Sequence, residues 1–158
     1  MQVKLIDKKK RKFTGEILKA KPEELKKLKD WKFNWYEIAK YKKSEVYKLE
    51  TQQIEGLMMI RFIEDEFFEL KNIEVSPSNF GSKGKYANAA PLLISYACLL
   101  SFEYNKGPYQ GYLSFISKGE LIDYYIEKYN AELVFRERMQ INPINGLRLI
   151  KKHLNLDL

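Results

Sequence analysis

At 158 residues, 45% of them hydrophobic and 31% charged, the chain has the size and balance of one globular domain burying roughly two-thirds of its unfolded surface, which excludes wholesale disorder. Its single cysteine, Cys98, excludes an internal disulfide, and its single histidine, His153, leaves no His/Cys cluster for zinc, so no metal is expected. The net charge of +7 is lopsided: residues 1–48 hold 16 Lys/Arg against 7 Asp/Glu, and residues 49–158 hold 12 against 14.

Residues 3–7 alternate weakly and predict a strand, residues 8–12 a charged turn, and residues 13–18 a second extended piece. From Pro22, suited to a first helical position, Leu25, Leu28, Trp31, Trp35 and Ile38 recur at spacings of three and four and predict one long amphipathic helix with lysines on its far face. Residues 46–51, 57–63 and 67–75 predict three strands, with Glu64-Asp65-Glu66 as the turn between the last two. Residues 76–84 are a loop by their Pro, Gly, Ser and Asn content. Residues 89–103 predict a helix that is apolar nearly all round and therefore sandwiched, its cysteine a buried structural thiol.

A turn at Gly107-Pro108 leads to a strand over residues 111–116, a helix over 120–129, a strand over 133–141 and a closing helix over 144–154. His153 lies in the last turn of that helix, where a cation suits the helix C-terminus. Antiparallel hairpins followed by strand–helix–strand crossovers imply an α/β (α+β) fold, a mixed, mostly antiparallel sheet with helices on both faces, in a single domain over 1–158. No segment reaches the ~18 consecutive apolar residues that span a bilayer. Without those or a signal peptide, the chain is expected in the cytoplasm and off the membrane.

Two stretches carry a family likeness. Lys85-Tyr86-Ala87-Asn88-Ala89-Ala90 stands between the third strand of the hairpin run and the apolar helix, and Gly111 to Ala131 joins a strand to a helix closed by Tyr129-Asn130-Ala131. With the element order, they make residues 46–153 resemble the GNAT superfamily of N-acetyltransferases. The family's phosphate signature is Arg or Gln, two residues, Gly, one residue, then Gly or Ala. Here Lys replaces Arg and Asn88 replaces the central Gly, and a placement on Gly81 and Gly84 stays open. The resemblance implies acetyl-CoA as acyl donor, with the Lys85–Ala90 loop at its pyrophosphate. Backbone N–H groups at a helix N-terminus cradle anions, small residues permit close approach, and Asn tolerates the left-handed backbone that Gly adopts.

Acyl transfer to an amine needs both substrates held, a proton taken from the ammonium and a proton given to the thiolate. The resemblance points to Tyr125 as the acid, with Tyr124 in reserve and core packing as the alternative. It points to Glu69 as the general base, the alternative being one more solvent-facing strand carboxylate beside Glu64, Glu66 and Glu74. The function it implies is N-acetylation of a primary amine, on a small molecule or a protein. Two other readings stand beside it. One is a toxin-like acetyltransferase acting on aminoacyl-tRNA, with RNA held by the basic N-terminal region. The other is a GNAT-shaped interaction module that has lost catalysis. A homodimer is also in keeping with the family.

Overall fold

Alternation decides the first two elements. Val3 and Leu5 are buried along β1 (Gln2–Ile6), and Gly15 and Ile17 along β2 (Lys12–Lys19). The strands pair antiparallel, Val3 opposite Gly15 and Leu5 opposite Phe13, in a computed structural model that describes residues 1–63 and 67–158. Asp7 closes the turn: its Oδ1 accepts the N–H groups of Lys9 and Arg11, and its Oδ2 accepts Arg11 Nε at 2.7 Å.

The long helix expected from Pro22 does not form. Two four-residue turns, α1 (Pro22–Leu25) and α2 (Trp35–Ile38), replace it, with Asp30 between them in the left-handed region at φ 68°. Glu74 explains the break. Its carboxylate accepts the N–H groups of Lys32 and Phe33 at 2.6 and 3.1 Å and the Trp35 indole N–H at 2.9 Å, partners that a continuous helix would leave no room for. Asn34 then starts α2 by accepting the Glu37 N–H. The spacing had marked burial correctly. Leu25, Trp35 and Ile38 pack with Val46, Leu57 and Met59, and Leu28 and Trp31 lie partly buried against them.

Strands β3 (Ser44–Glu50), β4 (Ile54–Ile63) and β5 (Phe67–Val75) fall where their residue types predict. The turn expected at Glu64-Asp65-Glu66 lies outside the described residues. After β5, a 3-10 turn over Pro77–Asn79 leads to α3 (Ala89–Tyr104), in which Leu92, Leu93, Ala97 and Cys98 are fully buried. Strand β6 (Leu113–Ile116) and α4 (Ile122–Tyr129) follow. Asn130 ends α4 in the left-handed region: its N–H donates to the Ile126 carbonyl and the Ala131 N–H to the Tyr125 carbonyl.

The single strand expected over 133–141 is instead a hairpin of β7 (Glu132–Phe135) and β8 (Arg138–Ile141). Arg136, at φ 54°, and Glu137 make the two-residue turn between them. Helix α5 (Pro143–Leu149) continues into a wider π-type turn over Ile150–Leu154. The eight strands form one mixed, mostly antiparallel sheet in the order β1-β2-β3-β4-β5-β6-β8-β7.

The residues pack as two units. The first comprises Met1–Ile60 and Asn72–Leu93, the second Arg61–Lys71 and Ile94–Leu158. In the second, Gly111 lies so close to the Phe102 ring that a β-carbon would sit 2.5 Å from it, and its φ of 84° independently demands glycine.

Candidate active site

In the second unit, β5 and β6 run parallel and pair at Glu69 and Ser114 alone among the described residues, whereas β6 and β8 pair antiparallel at four positions. A parallel pair reduced to one bridge leaves strand N–H and C=O groups that a guest chain or ligand can use. Glu69 itself is 1% exposed, so it does not face solvent. Its Oε1 accepts Arg61 Nε at 2.8 Å, and its Oε2 accepts Arg138 Nη1 at 3.1 Å. Arg138 Nη1 also donates to Ser114 Oγ at 2.7 Å. Among the described residues one carboxylate thus serves two guanidiniums, a surplus of one positive charge.

A cavity of about 530 Å³ opens at this bridge, lined by Phe67, Phe68, Tyr109, Tyr112, Ser114 and Arg138 among others. Its size is that of a small-molecule site. The sequence offered a signal for half of this cluster: Arg61 and Glu69 each stand four residues from Asp65, the centre of the expected hairpin turn, and so oppose each other. Arg138 and Ser114 escaped, because their approach to Glu69 depends on the β6–β8 pairing.

The other face of β6 carries an aromatic cluster. Phe115 alternates with Ser114 and so points away from Glu69. The Tyr125 ring meets Phe115 edge-on with centroids 5.0 Å apart, and Tyr124 and Tyr129 lie 5.3 and 6.0 Å from Tyr125. Burial, and secondarily Tyr124, push the Tyr125 hydroxyl above the ordinary tyrosine range. Tyr129 is pushed the same way, by burial first and then by Tyr124 and Tyr125. Tyr125 and Glu69 therefore stand on opposite faces of one strand. Tyr124 is 43% exposed.

The segment Lys85–Ala90 belongs to the first unit. Lys85 N–H donates to the Ser78 carbonyl, Tyr86 N–H to Asn79 Oδ1 and Ala87 N–H to the Ile6 carbonyl. Those three donors are engaged within the protein, so an anion at this end of α3 would draw on the first-turn N–H groups of Asn88, Ala89 and Ala90. Asn88 does not take the left-handed backbone expected of a glycine substitute. Its side chain instead bridges to β1, accepting the Ile6 N–H and donating to the Lys4 carbonyl. Gly84 has a packing reason of its own, the Asn79 backbone lying where a β-carbon would go. Gly81, at φ 76°, is open to all sides.

Cys98 is fully buried and its thiol is pushed up to about 12 by burial alone. His153 is not the C-terminal cation that its position suggested. Burial, Lys152 and Lys128 hold its pKa below the usual histidine value, favouring the neutral ring. No helix of the described residues is long and apolar enough to cross a membrane.

No sequence-family profile matches the chain, and no curated protein matches it. Solved structures do. The AtaT toxin, in a mutant form bound to the C-terminus of the antitoxin AtaR and acetyl-CoA, superposes with a TM-score of 0.61 at 11% identity, covering 87% of this chain and 98% of that one. A GNAT family acetyltransferase from Elizabethkingia anophelis with acetyl-CoA bound gives 0.54 at 18% identity, over 77% and 78% of the two chains. A spermidine N-acetyltransferase SpeG chimera from Vibrio cholerae and hSSAT gives 0.53 at 14% identity, over 84% and 98%. The chain has the fold of these acetyltransferases, the GNAT fold.

Proposed function

We propose that this chain is an acetyl-CoA-dependent N-acetyltransferase that passes the acetyl group to a primary amine by direct attack in a ternary complex. The observation that carries the reading is the parallel β5–β6 pairing reduced to Glu69 and Ser114, with a cavity at that bridge, in a fold whose solved relatives hold acetyl-CoA.

In the reaction, the amine loses its ammonium proton and its nitrogen bonds to the thioester carbonyl carbon. The carbon–sulfur bond then breaks, the new amide nitrogen sheds its second proton, and the departing thiolate takes up a proton. Tyr125 is the acid of this scheme, meeting the sulfur from the face of β6 opposite Glu69, across the gap that the single β5–β6 bridge leaves. Its raised pKa keeps the phenol protonated at neutral pH, as a proton donor must be. Each Glu69 oxygen already accepts a guanidinium N–H, so the geometry favours Glu69 as the anchor of Arg61 and Arg138, with water carrying the ammonium proton away. The cofactor's phosphates are assigned to the first turn of α3, at the N–H groups of Asn88, Ala89 and Ala90, with Lys85, exposed three residues before Asn88, supplying positive charge. Tyr86 and Ala87 hold that loop to its neighbours through their own hydrogen bonds.

Titrating the protein with acetyl-CoA in a calorimeter tests the reading. Micromolar binding is expected, weakened about tenfold in Lys85→Ala, the worth of one charge-assisted contact. Binding that Lys85→Ala leaves unchanged moves the phosphate loop, with Gly81–Gly84 the next placement. No binding at all removes the acetyltransferase reading and leaves a scaffold.

The exposed run Lys8-Lys9-Lys10-Arg11-Lys12 favours a second reading, in which aminoacyl-tRNA carries the amine. RNA binding that falls steeply with salt would support it, and none at low salt would remove it.

A further inference from the structure

The cavity at the β5–β6 bridge has a chemistry of its own, and it bears on the acceptor. Seven of its lining residues, Ile63, Phe67, Phe68, Pro108, Tyr109, Tyr112 and Val134, present apolar or aromatic surface. Asn105, Ser114 and Gln140 add neutral polar groups, Arg138 is its one cation, and no carboxylate is found among the described lining residues. A site for a polyamine or another polycation would show the reverse, carboxylates facing the ligand.

Arg138 is preset. A guanidinium has five N–H donors in a rigid fork. The two on Nη1 go to Glu69 Oε2 and Ser114 Oγ, which leaves the Nη2 pair and the Nε hydrogen for a guest. Glu69 neutralises only one of the two guanidiniums it holds, since Arg61 claims its other oxygen at 2.8 Å. An arginine so held, charged in excess and walled by aromatic rings, matches a planar carboxylate on an apolar body.

We infer that this cavity selects an amine that also carries a carboxylate and an aromatic or aliphatic body, the chemical class of the apolar amino acids, with Arg138 as the residue that reads the carboxylate. The inference rests on the acetyltransferase reading for the reaction, although the binding preference stands apart from it. A site built to bond one polar group discriminates strongly against analogues that lack it.

The test measures binding by the full chain of four probes: phenylalanine, phenylalanine amide, phenethylamine and spermidine, each with and without acetyl-CoA. Phenylalanine should bind at least about tenfold more tightly than its amide or phenethylamine, and spermidine most weakly. Arg138→Gln should erase the preference for the acid while leaving phenethylamine affinity within about twofold. Because Arg138 also belongs to the Glu69 cluster, a second variant guards against misfolding. Val134→Asp, on the exposed edge strand at 53% exposure, places a carboxylate at the cavity wall and should reverse the order of acid and amine. The inference falls if amide or phenethylamine matches phenylalanine, if spermidine binds best, or if a folded variant leaves the order unchanged. Failure of the enzyme reading looks different: acetyl-CoA then binds nowhere, while the preference among the four probes persists.

Discussion

Replacing Glu69 by glutamine separates an anchoring carboxylate from a proton-accepting one. Its two guanidinium hydrogen bonds, at 2.8 and 3.1 Å, are charge-assisted, and such bonds contribute about 1.5–3 kcal/mol each. Both arginines are over a third exposed, at 36% and 37%, so solvent recovers about half of that, leaving roughly 2–3 kcal/mol. The amide keeps one acceptor oxygen but turns an NH₂ toward a guanidinium that can only donate. For a chain of this size each kcal/mol moves the melting temperature by about 2–4 °C, so Glu69→Gln should melt about 4–12 °C lower. Thermal unfolding followed by circular dichroism measures it. The coupling to Arg61 is checked by the double variant Glu69→Gln, Arg61→Gln, which should cost less than the sum of the two single changes. A melting temperature unchanged in Glu69→Gln, or costs that simply add, would refute the anchor. If activity then collapsed in a fully stable protein, Glu69 would be the base after all.

Tyr125→Phe should keep the packing on Phe115 and lower kcat about 100-fold, the reach of a lost general acid. Release of free thiol from acetyl-CoA reads this, and equal rates would return Tyr125 to the core. Because the Tyr125 pKa is raised, the wild-type rate should show no loss of this acid until the pH passes the usual tyrosine value of 10.0. His153, the one histidine, should titrate below 6.5 in the folded protein by proton NMR. Its depressed pKa means that the unfolded chain takes the proton first. Stability should therefore be flat with respect to this group above pH 6.5, fall as the pH drops from 6.5 to the folded value, and level off below it. His153→Gln should remove that step, and a folded pKa at or above 6.5 would contradict the burial argument. Cys98, with its thiol pushed up to about 12, should resist maleimide at pH 8 until the protein is unfolded in urea, and rapid labelling of native protein would show that α3 is not sealed.

Signals that act within a dozen residues read through to the fold. β-rich runs located β3, β4 and β5, the all-round apolar run located α3, and Tyr129-Asn130-Ala131 marked the left-handed end of α4. Errors arose where a distant group decides the backbone. The spacing of Leu25, Leu28, Trp31, Trp35 and Ile38 encodes which side chains are buried, and burial by itself is compatible with a broken helix. The break comes from Glu74, whose carboxylate takes the Lys32 and Phe33 N–H groups from some forty positions away, a pairing no local window contains. Asn88 repeats the lesson in the segment proposed to hold phosphate. It stands where a glycine signature has Gly, yet its amide is committed to Lys4 and Ile6 on β1, more than eighty residues earlier. The Asn88 side chain thus ties this segment to β1 instead of giving it backbone freedom. In the same way the Glu69 cluster forms only when Arg61 from β4 and Arg138 from β8 meet one carboxylate. Neither residue is unusual in its own stretch of sequence, and the selectivity proposed for the cavity is a property of their meeting.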